Sequence, residues 1–546
     1  MNIQVSGASA HQAGYIDAFL QRHVDITGQY QMLISVHNFR HTSVEGFELR
    51  AQRQENIVTV EIGVTLDRAV RYALNAVLDW LRLDSQQPLE LTDGPHFPIR
   101  GVVEGFYGKP WSHAQRLKGI EFFADFGMNT YFLAPKDDPL QRFNWRSPFG
   151  VEFLVTAKEL IERGNVHGVD FVACVSPGLS VQYSDQGDVD AVVTRFKQLM
   201  ELGAVHFGLL WDDIAWELQH PEDIARYATT AQAHADFTNK VWNAISADNN
   251  KVQLTVCPMQ YSGRGNEPYL VDLGRELKSR INLMWTGRQI CSEYLDVSDA
   301  VIFERSALRP ALYWDNFPVN DGSLQKSLFI GPLRGREKGL HKYSAGLLSN
   351  PMLQFEASLL PLATIGDYLW NTERYDAEIS WEKNLIKLYP SDSARGSLRA
   401  MYRTSMGSCV GGDPAPDLRQ VFRAGVTAWR AGDMTLAAEV FRAEGESIKN
   451  HYKVLTSPDF IYPELAQEIS KWLEKYLLGG ETLQGLADFL LTCSFDAENK
   501  SIVGPNDSEE TLRGLIQRLD ESQKHLFGDQ IEGPLNELAA ELKSHK

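Results

Sequence analysis

The chain has 546 residues, of which 43% are hydrophobic and 23% charged, and this composition excludes wholesale disorder, a collagen-like repeat and a small disulfide-stapled scaffold. Its net charge is −18. So acidic a surface repels phosphate backbones and anionic lipid, which removes nucleic acid and membranes as main partners.

The first residues, MNIQVSGASAHQ, lack the basic start and apolar core of a secretory leader. Residues 1–95 read as a small α+β domain. Gln31–His37, Gly46–Arg50 and Ile57–Val64 are predicted strands, and in the last of them Val58, Val60, Ile62 and Val64 alternate with Ile57, Thr59, Glu61 and Gly63, a period of two. A helix is predicted next, with Thr65 as its N-cap and Asp67 in its first turn. Leu66, Ala69, Val70, Ala73, Leu74, Val77, Leu78 and Leu81 share one face of it, the ordinary signature of core packing. Asp93-Gly94-Pro95 is a turn and a domain boundary.

Residues 96–375 have a different texture. Ile99–Val103, Thr130–Leu133, Asp170–Val175, His206–Trp211, Val252–Val256, Ile281–Trp285, Ala311–Trp314 and Ser344–Leu348 are short apolar runs separated by amphipathic segments such as Ser112–Phe126. Alternating strands and helices over about 250 residues predict an α/β fold, a (β/α)8 barrel of the TIM type. Polar and turn-forming residues follow each run: Gly105–Gly108, Pro135–Asp138, Ser176–Gly178, Asp212-Asp213, Pro258–Tyr261, Thr286-Gly287, Asp315-Asn316 and Ser349–Pro351. The C-terminal ends of barrel strands form the catalytic mouth. Any strand must end in a polar loop, which accounts for the Gly, Pro and Ser residues here but less well for Lys136, Asp212, Asp213 and Asn316.

Residues 376–546 read as a helical bundle. Helices are predicted over Leu418–Ala431, Thr435–Lys449, Tyr462–Leu478, Thr482–Cys493, Glu509–Leu526 and Pro534–Lys543, with breaks at Ala431–Asp433, Gly479-Gly480 and Gly504–Asp507. Packing on the barrel, homodimerisation and partner binding all remain open as uses of this region. No segment reaches the roughly 20 apolar residues of a bilayer span; the best, Leu359–Trp370, contains Asp367. The cysteines Cys174, Cys257, Cys291, Cys409 and Cys493 are odd in number, widely spaced and without a C-x-x-C pair. Neither a disulfide framework nor a zinc site is indicated, and a cytoplasmic location fits.

Asp212 and Asp213 carry the strongest chemical signal. Two neighbouring carboxyls titrate apart, one staying ionised and the other rising, and glycoside hydrolysis uses such a pair. A metal site or a plain Asp-Asp surface turn are the competing readings. Asp137-Asp138 and Asp212-Asp213 together offer oxygen ligands for Mg²⁺, but Lys136 beside the first pair opposes a cation, so no metal and no cofactor is expected. Tyr107, Trp111, Trp211, Trp216, Tyr261, Trp285 and Trp314 lie in or beside the mouth loops, where aromatic faces pack on the C–H side of a pyranose. Singly, each is more readily explained by packing. No G-x-S-x-G elbow, dinucleotide fingerprint or P-loop is present.

The ordered motifs RGVVEGFYGKPW (Arg100–Trp111), APKDD (Ala134–Asp138), WDDI (Trp211–Ile214) and WDN (Trp314–Asn316) resemble glycoside hydrolase family 84, the protein O-GlcNAcases and bacterial β-N-acetylglucosaminidases. The resemblance covers residues 1–375 well and the helical region least. It implies a retaining exo-acting hydrolase in which the 2-acetamido oxygen of the substrate attacks the anomeric carbon to give an oxazoline, an exception to the two-carboxylate scheme. By the same resemblance Asp212 orients the acetamido N–H and stays ionised, and Asp213 is the general acid and then base. Gly105 and Lys136 hold ring hydroxyls near O3, Asn316 and Asn350 are sugar-binding amides, and Asp321 binds O4 and O6. Tyr261 steadies the acetamide oxygen, and Tyr107, Cys257 and Trp314 wall the acetyl pocket. The implied partner is a GlcNAc-bearing glycoprotein or glycoconjugate. Hyaluronan or chitin fragments are the rival substrates, and a sugar-binding protein without turnover is the rival class. Two positions depart from the family pattern: Ser147 stands where an acidic residue is common, and Arg264 is unexpected. Both bear on the leaving group, not on the reaction.

Overall fold

The computed structural model describes residues 3–543 apart from 248, 497, 499 and 500. The first two residues of the amino-terminal region and the last three of the helical region lie outside the described residues. The chain forms two compact units. One comprises Met1–Asn316, Gly335–Pro351 and Ile365–Tyr375; the other comprises Phe317–Arg334, Met352–Thr364 and Asp376–Lys546.

The first unit opens with a five-stranded sheet in the order Ile3–Ser6, Gln31–Asn38, Ile57–Val64, Phe47–Gln54, Leu89–Asp93. The period-two pattern of Ile57–Val64 is realised as expected: Val58, Val60, Ile62 and Val64 are buried, while Ile57, Thr59 and Glu61 face outward. The two outer strands were not anticipated. Each is short and has no fully buried residue, so neither carries a strong apolar alternation. The helix predicted from Thr65 begins instead at Ala69 and runs to Arg82. The Thr65 hydroxyl is spent on the carbonyl of Gly46 at 3.0 Å, and Leu66 is exposed. From Ala69 onward the expected face is buried.

Eight parallel strands then close into a barrel: Ile99–Glu104, Thr130–Leu133, Asp170–Val175, His206–Leu210, Gln253–Cys257, Asn282–Trp285, Ala311–Asp315 and Ser344–Ser349. Their bounds agree with the apolar runs to within a residue or two. Val103, Phe132, Ala134, Val172, Leu210, Cys257, Met284, Leu312, Trp314 and Leu348 point inward and fill the interior, so this is a packed core rather than a channel. Ser112 and Gln115 form a capping box at the first barrel helix, and Gly168, at φ +71°, ends the helix Val151–His167.

The second unit is helical, with a small hairpin pairing Ser494–Asp496 and Ser501–Val503. The helices Ala377–Leu388 and Asp392–Tyr402 were not anticipated, and the helix predicted to reach Leu526 stops at Leu519. The break at Ala431–Asp433 is present, with Gly432 at φ +85° and the Asp433 carboxylate accepting from Leu436 N at 2.9 Å. The break expected at Gly479-Gly480 is absent, because one helix runs from Ser470 to Leu490. The reason is packing: this helix lies against Met434–Leu455 so closely that a methyl on Gly445 would come within 2.6 Å of the Gly480 carbonyl oxygen. The glycines permit contact between helices and do not end one. Among the described residues no helix is long and apolar enough to cross a membrane.

Candidate active site

The period of a β-strand explains which residues reach the mouth. Side chains two apart share a face, and several inward-facing interior residues near strand ends are followed, two positions on, by a polar or site-forming residue. Leu210 leads to Asp212, Ala134 to Lys136, Val103 to Gly105, Trp314 to Asn316 and Leu348 to Asn350. Trp211, on the alternate face, turns outward. It is buried against the helix Thr230–Ser246, stacked on His234 at 4.9 Å, with Nε1 donating to Thr238. Trp285 likewise stacks on Phe303 at 4.9 Å, and Trp111 packs against Phe106. For these tryptophans packing is the correct account, not sugar. Trp216 is 61% exposed.

Lys136 and Asp212 form a buried ion pair, Nζ donating to Oδ2. Burial works against the ammonium, but Asp212 outweighs it and holds the Lys136 pKa above the ordinary lysine value. The other oxygen of Asp212, Oδ1, is buried and has no hydrogen-bond partner. An acceptor left in this way costs free energy unless something donates to it.

Asp213 lies beyond the strand end, and its backbone is left-handed at φ +57°. This conformation is uncommon outside glycine, though Asp tolerates it better than most residues. The turn lets adjacent carboxyls enter one mouth. Asp213 Oδ2 accepts from the Tyr107 hydroxyl at 2.7 Å and Oδ1 from the Tyr261 hydroxyl at 2.9 Å. Burial would raise this carboxyl, but Lys136, the two hydroxyls and Arg142 outweigh it and hold it below the usual carboxylate range. The two phenols move the opposite way, raised by burial and by the charge of Asp213. In this arrangement Asp213 is therefore not the raised member of the dyad.

Gly105, Trp314, Asn316 and Asn350 form one wall. Asn350 Oδ1 accepts from Gly105 N at 3.2 Å, and its Nδ2 donates to Asn316 Oδ1 at 2.9 Å, which also receives Trp314 Nε1 at 3.0 Å. Trp314 lies over the Gly105 backbone, so that a Cβ there would come within 2.2 Å of the indole. Lys136 Nζ lies 5.3 Å from the Trp314 ring centroid. Cys257 is buried, and its thiol is pushed up by burial and by Asp212. Asp321 falls in Phe317–Arg334, a segment of the second unit, just before the turn Gly322–Leu324.

Several supports were not anticipated. Glu104 is fully buried and receives Trp111 N, the Tyr131 hydroxyl and both Nε and Nη2 of Arg116, which anchors the Gly105–Trp111 loop from behind. Asp315 and Arg336 pair bidentately at 2.6 and 2.8 Å beneath Asn316. Asp137 and Asp138, weighed above as metal ligands, serve the backbone: Asp137 accepts from Gly108 N at 2.7 Å and Asp138 caps Leu140 N at 2.9 Å. Arg142 touches Tyr107 and Asp213. Its place in the sequence, shortly after the APKDD motif, was the one available signal. At the two departing positions, the Ser147 carbonyl accepts from Arg195 Nε at 2.7 Å, and Arg264 is exposed with its backbone N donating to Glu267.

A sequence model of the β-N-acetylglucosaminidase family matches residues 100–403, more than half of the chain. The chain belongs to that family, glycoside hydrolase family 84. Family 84 members of known structure share its fold. A mutant O-GlcNAc hydrolase from Thermobaculum terrenum superposes with a TM-score of 0.76 at 31% identity, over 82% of this chain and 95% of that one. CpGH84B superposes with a TM-score of 0.80 over 98% of this chain and 96% of its own, and at 22% identity this likeness concerns the fold. Protein O-GlcNAcase from Rattus norvegicus is 31% identical over 274 residues, 49% of this chain, and the Mus musculus protein matches equally. The match spans 29% of the length of those two relatives.

Proposed function

We propose that this chain is a retaining exo-β-N-acetylglucosaminidase acting by substrate assistance, with O-GlcNAc on Ser or Thr of proteins as its substrate. The observation that carries the reading is the asymmetry of the dyad. Asp212 is buried and neutralised on one side by Lys136, with Oδ1 unpartnered. A carboxylate so paired is a poor nucleophile, but its remaining oxygen is well placed to accept an acetamide N–H. The attacking atom is then the acetamide oxygen, which closes on C1 to give the oxazoline while Asp213 protonates the departing glycosidic oxygen. Water next adds to C1, giving up its proton to Asp213, and the β-anomer is restored.

For Asp213 to carry a proton near neutral pH, a donor has to leave it. In our reading Tyr261 is that donor: its hydroxyl turns to the acetamide oxygen, which steadies the nucleophile and lets the Asp213 pKa rise in the same motion. Trp314, Cys257 and Tyr261 border the barrel interior, a setting that suits the acetyl methyl. The names of the Thermobaculum and rodent relatives support the protein-linked sugar as the substrate.

Turnover of an aryl β-GlcNAc followed by proton NMR tests the reading. The β-anomer of GlcNAc is expected to appear first. Initial release of the α-anomer, or equal cleavage of the matching glucoside without an acetamide, would overturn it. A GlcNAc-modified peptide should be cleaved in preference to chitin and hyaluronan fragments.

A further inference from the structure

We propose that Arg142 is a positioning residue for the acid: its guanidinium fixes Tyr107 as a donor to one oxygen of Asp213 and holds the Asp213 carbonyl, leaving Oδ1 as the oxygen that carries the catalytic proton. This rests on the reading of Asp213 given above.

Arg142 Nη1 donates to the Tyr107 hydroxyl at 2.9 Å and Nη2 to the Asp213 carbonyl at 3.1 Å. A guanidinium has only donors and a phenol has one proton. The Tyr107 oxygen must therefore accept from Arg142, and its own proton must go to Asp213 Oδ2. The direction of the relay Arg142 to Tyr107 to Asp213 is fixed by chemistry. Tyr261 has no such constraint, since the hydrogen bond of its hydroxyl runs to Asp213 Oδ1, and it is free to turn away. Once it does, Oδ2 stays committed and Oδ1 becomes available to a proton.

The setting of Arg142 supports a dedicated role. It is buried, its Nε has no hydrogen-bond partner, and among the described residues it makes no ion pair with a carboxylate side chain. Burying a cation against a phenol and a carbonyl is expensive. The platform beneath it is stiff: Asp138 caps the turn Pro139–Arg142, Ser176 N donates to the Gln141 carbonyl, and Arg195 takes the carbonyls of Leu140, Asn144 and Ser147. The left-handed backbone of Asp213 is held by the same guanidinium that orients its carboxyl partner.

The test compares Arg142→Met with the wild type on two aryl β-GlcNAc substrates, one with a poor and one with a good leaving group. The groups facing Asp213 are Lys136, Asp212, Tyr107, Tyr261 and Arg142. Loss of the cation should cut kcat/KM about tenfold or more on the poor leaving group and far less on the good one, and move the alkaline limb of the pH profile upward. Arg142→Lys, whose ammonium reaches one acceptor but not both, should recover part of the loss. Equal losses on both substrates with an unmoved limb would overturn the proposal. If Arg142→Met does not fold, Tyr107→Phe breaks the same relay and should show the same split between leaving groups; an equal loss on both there also overturns it. If the wild type cleaves neither substrate, the proposed function fails on its own. The role of Arg142 is then judged from a crystal structure of the methionine variant. Asp213 leaving the left-handed turn supports it, and unchanged Asp213 and Tyr107 overturn it.

Discussion

Lys136 and Asp212 meet as a buried ion pair at the ends of the second and fourth barrel strands. Neither charge has water to fall back on, so each depends on the other. Lys136→Met should therefore leave a buried carboxylate without its counter-charge and cost about 3–5 kcal/mol. Adding Asp212→Asn to it should return much of that loss, because the two positions are coupled. Urea unfolding of the two single variants and the double variant measures the coupling. Additive losses would mean that the pair contributes nothing as a pair.

The two hydroxyls on Asp213 predict a pH effect with a definite sign. Its carboxyl is held low, so the protonated acid becomes scarce as pH rises, and kcat/KM should fall along that limb. Tyr261→Phe removes one of the donors that lower it. The pKa should rise and the limb move to higher pH, while KM rises because the acetamide loses an anchor. Asp213→Ala should slow substrates with poor leaving groups by about 10²–10⁴-fold and activated ones much less. Profiles of kcat/KM against pH for the three proteins check both points.

Much of this geometry could be read in the sequence because a strand has a period of two. Once Val103, Leu210 and Leu348 are read as interior, Gly105, Asp212 and Asn350 follow on the same face. Asp213 breaks the period, and only its left-handed turn brings it into the same mouth; nothing local in WDDI announces that turn. Arg142 and Glu104 were missed for a different reason. Their roles depend on partners far along the chain, such as Arg142 on Asp213 and Glu104 on Tyr131. The glycine pair 479–480 failed as a break on similar grounds: a local rule reads it as flexible, whereas a second helix makes it a contact.

Gly105 lies against Trp314 so closely that no larger residue fits without movement. A methyl would approach Cζ2 at 2.2 Å and Cη2 at 2.5 Å, and the indole is fixed by Asn316. Gly105→Ala should displace Trp314 and disturb the Asn316–Asn350 wall, raising KM for an aryl β-GlcNAc about tenfold and lowering stability to unfolding by about 1–3 kcal/mol. Unchanged kinetics would show that the indole yields freely and that the wall does not hold the sugar.

Glycine substitutions in the helical unit should split by environment. Gly445→Ala puts a methyl 2.6 Å from the Gly480 carbonyl, a backbone atom that cannot swing aside, and 2.9 Å from Gln484 Cγ. The overpacking cost of about 1–3 kcal/mol should exceed the helix-propensity gain of about 1 kcal/mol. A methyl added at Gly396, in the helix Asp392–Tyr402, would meet nothing within 4 Å, so Gly396→Ala should stabilise by up to about 1 kcal/mol. Thermal unfolding of the two variants should move in opposite directions, and a shared direction would refute the packing account of the paired glycines.

Asp125 ties the first barrel helix to the amino-terminal helices. Burial would raise its carboxyl, but His23 at 3.7 Å, Arg22 at 2.8 Å and Arg71 at 3.2 Å outweigh burial and hold it down to about 2. At 3.7 Å the histidine contributes charge and not a hydrogen bond, so the arginines carry most of the effect. A carboxyl depressed on folding contributes stability above its unfolded pKa and loses it as pH falls through the folded value. From an ordinary value of 3.8 to about 2, that contribution is about 2 kcal/mol near neutral pH. It should be intact above roughly pH 5 and drain away between pH 4 and pH 2. Asp125→Asn should destabilise by about that amount at pH 7 and flatten the acid limb of stability against pH. Denaturant unfolding at pH 7, 4 and 3 measures both, and a variant that loses stability equally at all three values would show that the carboxyl acts through its shape rather than its charge.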